Sequence, residues 1–175
     1  MKKELIFLFL FLLPLLLLAE LINFNTATGD VTHDLAIIRL ERLQLARSPF
    51  YGRIDAECRA YIRTIDQYLR LGADERYYTP TGLSGNPGYY INERTLLQHL
   101  SDMQHPNTPC SPALKTQAAA IAANITAQNV RLGNYTLSHR TCTPDAKWYF
   151  DQAVFLSTRE PISAINYLEH TVSLC

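Results

Sequence analysis

Glycine is scarce, seven in 175 residues, and nowhere does it form a phosphate loop or a collagen repeat. Excess charge is missing too: 16 Lys+Arg face 16 Asp+Glu, and only 18% of residues are charged. A protein that coats nucleic acid needs a basic surplus to neutralise phosphates, so that class of partner is argued against. Apolar runs of spanning length are absent, because the longest one, Leu5 to Ala19, falls short of about 20 residues and contains Pro14. None of the four cysteines forms a C-x-x-C pair, which leaves a redox motif or a zinc ribbon without support. No alternating apolar/polar stretch lasts more than a few residues, and heptads are not sustained. What is present is 47% hydrophobic residues, enough to support a core and to exclude disorder. The length allows one domain that buries roughly two-thirds of its unfolded surface.

The first residues read as an address. Lys2 and Lys3 precede the apolar run Leu5 to Ala19, as in the n-region and h-region of a secretory signal. Leu17 and Ala19 would precede a cut ahead of Glu20. An uncleaved anchor helix extended through Leu21 and Ile22 is the alternative. The expected organisation is a signal peptide over 1–19, a flexible lead-in over 20–30 and one helical domain over 31–175. Cleavage would leave no stable membrane span, and the protein would work in the periplasm or outside the cell. In such a compartment Cys58, Cys110, Cys142 and Cys175 read as two disulfides.

Helical periodicity dominates after residue 30. Asp30 or Thr32 caps a helix to about Arg47. The second, about Ile54 to Leu71, carries Ile54, Cys58, Tyr61, Ile62, Ile65, Tyr68 and Leu69 on one face and stops at Gly72. Residues 73–90 read as a Gly/Pro/Tyr loop. A third helix is expected over Asn92 to His105. Ser111-Pro112 starts a fourth, ending at Leu132 before Gly133. Thr143-Pro144 starts a fifth to Leu156, and Pro161 opens a sixth. The fold class is all-α, a bundle of five or six helices. The last two helices, each about 21 Å long and joined by a short turn, must run antiparallel. That returns Cys142 and Cys175 to one end and predicts Cys142–Cys175, with Cys58–Cys110 by subtraction.

Catalytic signals are thin. No two of the five histidines have metal-binding helical spacing, and only His99 with Asp102 forms a local acid–base pair. Gly82-Leu83-Ser84-Gly85-Asn86 lacks the final glycine and the preceding strand of a nucleophile elbow. No cofactor, metal or catalytic residue is assigned. The loop is more informative. It holds four of the ten tyrosines, Tyr77, Tyr78, Tyr89 and Tyr90, and long ordered loops are often functional. These tyrosines are the expected protein-binding residues; their alternative role is to cover the edge of the core. The Arg59, Arg63 and Arg70 face is a second candidate patch, suited to an acidic partner.

Two blocks carry a resemblance. Cys58-x-Ala60-Tyr61-Ile62-x-x-Ile65-Asp66 is similar to the cysteine-led C-x-G-Y-I-x-G helix of the small periplasmic immunity proteins that block type VI secretion amidases. Cys142-x-Pro144, with Gln152, Val154, Leu156, Pro161 and the closing Cys175, is similar to that family's C-terminal hairpin. The blocks cover under a third of the chain, and Ala60 and Thr64 stand where the family has glycines. The resemblance implies an exported, non-enzymatic, all-α inhibitor that plugs a peptidoglycan hydrolase. A small exported hydrolase and a structural envelope component are the alternatives.

Overall fold

A computed structural model describes residues 31–46 and 58–175. The expected signal peptide and lead-in lie outside the described residues, as do residues 54–57 of the expected second helix. Six α-helices account for most of what is described: α1 (Val31–Ala46), α2 (Arg59–Gly72), α3 (Pro87–Gln104), α4 (Pro112–His139), α5 (Pro144–Leu156) and α6 (Pro161–Ser173). The class is an all-α bundle, within a compact unit spanning Leu35–Cys175. Between α2 and α3 the chain makes a 3-10 turn, Glu75–Tyr77, and a minimal antiparallel hairpin of β1 (Tyr78–Thr79) and β2 (Gly82–Leu83).

The helix starts follow from local chemistry. Ser111 caps α4 by accepting from the Leu114 amide at 3.4 Å, and Pro112 occupies the first turn, where its missing N–H costs nothing. Asn86-Pro87 starts α3 in the same way, with the Asn86 side chain accepting from the Gly88 amide at 2.8 Å. This start shortens the loop expected over 73–90: α3 takes its last four residues, and the 3-10 turn and the hairpin order much of the rest. Inside, α2 packs against α3 and α4 against α6, and the buried apolar side chains of these helices include Ile62, Ile65, Leu69, Leu96, Leu100, Met103, Ile125, Leu132, Ile165 and Leu168.

Of the two glycines expected to end helices, one does so and one does not. α4 passes through Gly133 without stopping. A Cβ there would lie 2.6 Å from Leu168 Cδ2 and 3.3 Å from Phe150 Cε2, so the missing side chain lets α5 and α6 approach α4 closely. Gly72 does end α2, but without left-handed backbone. Its virtual Cβ falls 2.5 Å from both Arg42 Nη1 and Glu93 Oε1, so an ion pair packs against bare backbone there.

Both expected disulfides form, Cys58–Cys110 and Cys142–Cys175, with Cα separations of 5.1 and 4.0 Å. The second closes the α5–α6 hairpin at the end its antiparallel packing requires. The Thr143 amide donates to the Leu174 carbonyl at 3.0 Å beside it.

The hairpin has one demanding position. Gly82 has φ +110°, and a Cβ would meet Thr136 Oγ1 at 2.3 Å and Thr136 Cα at 2.9 Å. Gly82→Ala should therefore combine backbone strain with overpacking and cost about 2–3 kcal/mol in urea unfolding. A loss below about 0.5 kcal/mol would show that the hairpin does not dock on α4 as described.

Candidate functional site

The four tyrosines do not form one exposed set. Because α3 begins at Pro87, Tyr89 and Tyr90 fall in its first turns, and both are fully buried. Tyr77 and Tyr78 are half-buried. Tyr77, Tyr78 and Tyr90 each meet the Tyr89 ring edge-on, at centroid separations of 5.3, 6.5 and 5.2 Å. The Tyr78 hydroxyl donates to the Gly72 carbonyl at 2.7 Å, and the Tyr89 hydroxyl to Asn129 Oδ1 at 2.8 Å. Burial pushes Tyr78 up to about 12 and drives Tyr89 and Tyr90 well above the ordinary phenol range. The expectation of a tyrosine contact surface is thus corrected for Tyr89 and Tyr90. A side chain without accessible surface cannot touch a partner, and covering the core edge is the role these two fill.

Beneath the tyrosines lies a buried polar network. Arg42 of α1 grips Glu93 of α3 through two parallel bonds, Nη1 to Oε1 at 2.7 Å and Nη2 to Oε2 at 3.0 Å, and both side chains are fully buried. Arg42 Nε donates to Gln128 Oε1 at 2.9 Å, and Asn129 Nδ2 donates to Glu93 Oε2 at 2.6 Å. Burial opposes the charge on Arg42, but the facing Glu93 carboxylate outweighs it and holds the guanidinium above its usual value. Planar, bidentate pairing of this kind is what arginine does and lysine does not. The network is closed to solvent and ties α1, α3 and α4 together. Its chemistry is structural.

The remaining candidates are dispersed. Of the one local acid–base candidate, Asp102 accepts from Gln98 at 2.7 Å and the His99 ring stacks on Tyr68 at 6.0 Å. Among the described residues no group of three or more His, Cys, Asp or Glu could hold a metal ion. Arg59 and Arg63 are exposed on α2, and Arg70 pairs with Asp66 one turn back at 3.1 Å. At the turn before the hairpin, the Arg76 side chain and then its amide hold the Asp74 carboxyl down to about 2.

The outward feature of the fold is on α5. Ala146, Phe150 and Ala153 face the core, and on the opposite side Trp148 is 55% and Phe155 59% exposed, two turns apart. The Trp148 ring meets Tyr149 at 5.0 Å and Tyr167 of α6 at 6.1 Å, and Tyr149 in turn meets His170 at 5.2 Å. The Arg159 guanidinium sits 5.3 Å from the Phe155 ring centre. Val154, 44% exposed, widens the apolar strip, and Lys147 pairs with Asp151 along it. Sequence reasoning missed this ridge. α5 carries apolar residues on every side, and only the i,i+7 spacing of Trp148 and Phe155 away from the inward stripe could have singled it out.

Fold and surface together define a disulfide-stapled all-α bundle that presents an aromatic ridge on its C-terminal hairpin. No family model matches the chain, and no significant match was found among curated proteins or solved structures.

Proposed function

We propose that this chain is exported and acts as a binding protein whose α5–α6 ridge engages a protein partner. The observation that carries the reading is the exposure of Trp148 and Phe155 on a helix already anchored by its opposite face. Large exposed aromatics on a pre-ordered surface are the residue type that dominates binding energy at interfaces, and a single exposed apolar residue would not suffice. The Cys142–Cys175 clamp holds the two helices in register, so little order has to be gained on binding. Two disulfides suit an oxidising compartment, and no helix among the described residues is long and apolar enough to cross a membrane. The resemblance to amidase immunity proteins supplies the partner class, a peptidoglycan hydrolase that the bound protein would inhibit.

Trp148→Ala with Phe155→Ala should weaken partner affinity at least about 100-fold while the fold is kept, because neither ring is core. Titration calorimetry against a captured partner and a thermal melt of the variant check both halves. Unchanged affinity would remove the ridge from the account.

A further inference from the structure

Arg140, at the C-terminal end of α4, is an arginine that the fold holds in place with no anion opposite it among the described residues. Its Nε donates to Thr81 Oγ1 at 3.1 Å and its Nη2 to Thr79 Oγ1 at 3.0 Å, so one edge of the guanidinium is fixed on the hairpin. Thr79 spends its own proton on the Gly82 carbonyl at 2.9 Å, and the two threonine oxygens are 3.3 Å apart. Every contact on that edge is therefore to a neutral hydroxyl.

Each other described arginine that is buried or half-buried faces a carboxylate: Arg39 with Glu75, Arg42 with Glu93, Arg94 with Glu169 and Arg131 with Glu41. Among the described residues no carboxylate pairs with Arg140. The Tyr90 hydroxyl, on which Arg140 acts electrostatically, is buried without a hydrogen-bond partner and stays protonated. Glu169, which acts on the same hydroxyl, is bound to Arg94 at 2.5 Å. Beside the hairpin, Tyr135 and His139 stack at 4.0 Å, and the Tyr135 hydroxyl reaches the Pro80 carbonyl at 3.4 Å.

We propose that Arg140, braced by Thr79 and Thr81, is a docking point for an acidic side chain of the protein partner, with Nη1 as the donor. A guanidinium fixed on one edge presents the other edge without further loss of freedom, and a charge-assisted bond to a carboxylate is stronger than one to a hydroxyl. The Tyr135–His139 stack and exposed Pro80 supply flat surface around the charge. The Cys142 staple connects this corner to the start of α5, and so to Trp148. The inference rests on the protein-binding reading and adds a charged anchor to its aromatic one.

Isotope-labelled oxidised protein, titrated with acetylated hexaglutamate and separately with hexaglutamine, tests it by NMR. Hexaglutamate should shift the Arg140 Nε–H signal and the amides of Thr79, Thr81 and Leu83 saturably, and hexaglutamine should not. Arg140→Gln should weaken hexaglutamate binding about tenfold, and Arg140→Lys, which keeps the charge and loses the brace, by several-fold. Shifts confined to Arg59 and Arg63, or undiminished in Arg140→Gln, would overturn the site. Partner capture separates the two readings. If capture is lost with Trp148→Ala/Phe155→Ala while neither capture nor peptide binding responds to Arg140→Gln, the site fails and the ridge stands. Peptide binding at Arg140 without any captured partner supports the site and removes the protein-binding reading.

Discussion

Arg42→Ala should cost about 3–5 kcal/mol, a large share of the 5–15 kcal/mol that holds a domain of this kind together. The substitution leaves the Glu93 carboxylate fully buried, with Asn129 as its remaining side-chain donor, and removes the two parallel bonds that tie α1 to α3. It also strips Gln128 of its 2.9 Å bond and opens the space against Gly72. The penalty comes from stranding a charge rather than from the worth of the pair, which gives a sharp control. Arg42→Met combined with Glu93→Leu removes both charges at similar volume and should recover most of the loss, because a buried ion pair and a well-packed apolar pair are often comparable. Urea unfolding of both variants reads the difference. A single-variant loss under about 1 kcal/mol would mean that Glu93 finds water, and that α1 does not seal the network.

Reduction of the two disulfides should be as severe. The bonds close loops with sequence separations of 52 and 33 residues, and chain entropy assigns each a stabilisation of about 4 kcal/mol. Loss of both should leave a domain of this size marginal or unfolded at physiological temperature. A thermal melt with and without a thiol reductant measures this, and Cys142→Ser with Cys175→Ser isolates the C-terminal clamp. Equal melting temperatures in both conditions would show that the helices hold themselves. A protein so dependent on two disulfides would be suited to an oxidising compartment, in line with the proposed export.

Much of the scaffold was legible because its signals are local. Ser111-Pro112, Thr143-Pro144 and Pro161 each announce a helix start through an available cap or a missing N–H, and the structure begins α4, α5 and α6 there. Cys142–Cys175 followed from the helix lengths and antiparallel packing of a single hairpin, and Cys58–Cys110 followed by subtraction. Asn86-Pro87 carries the same kind of start signal, but the glycines and tyrosines around it read as a loop, and with α3 placed too late the buried Tyr89 and Tyr90 read as partner-binding loop residues. Gly133 read as a stop because a helix-internal glycine is costly by itself, and the compensation comes from Leu168 and Phe150, far along the chain. The Arg42–Glu93 pair spans 51 residues and leaves no local trace. The ridge on α5 was hidden for the opposite reason: too many apolar residues on one helix leave its outward face undetermined until its neighbours are in place.

The most direct test is affinity capture. The oxidised protein is presented to envelope and secreted fractions of the producing cell beside its Trp148→Ala/Phe155→Ala variant, with both shown to be folded. One stoichiometric protein, a peptidoglycan hydrolase, should be bound and inhibited by the native surface and released by the variant. Recovery of nothing by the folded native protein, or equal recovery by both, would contradict the proposed function.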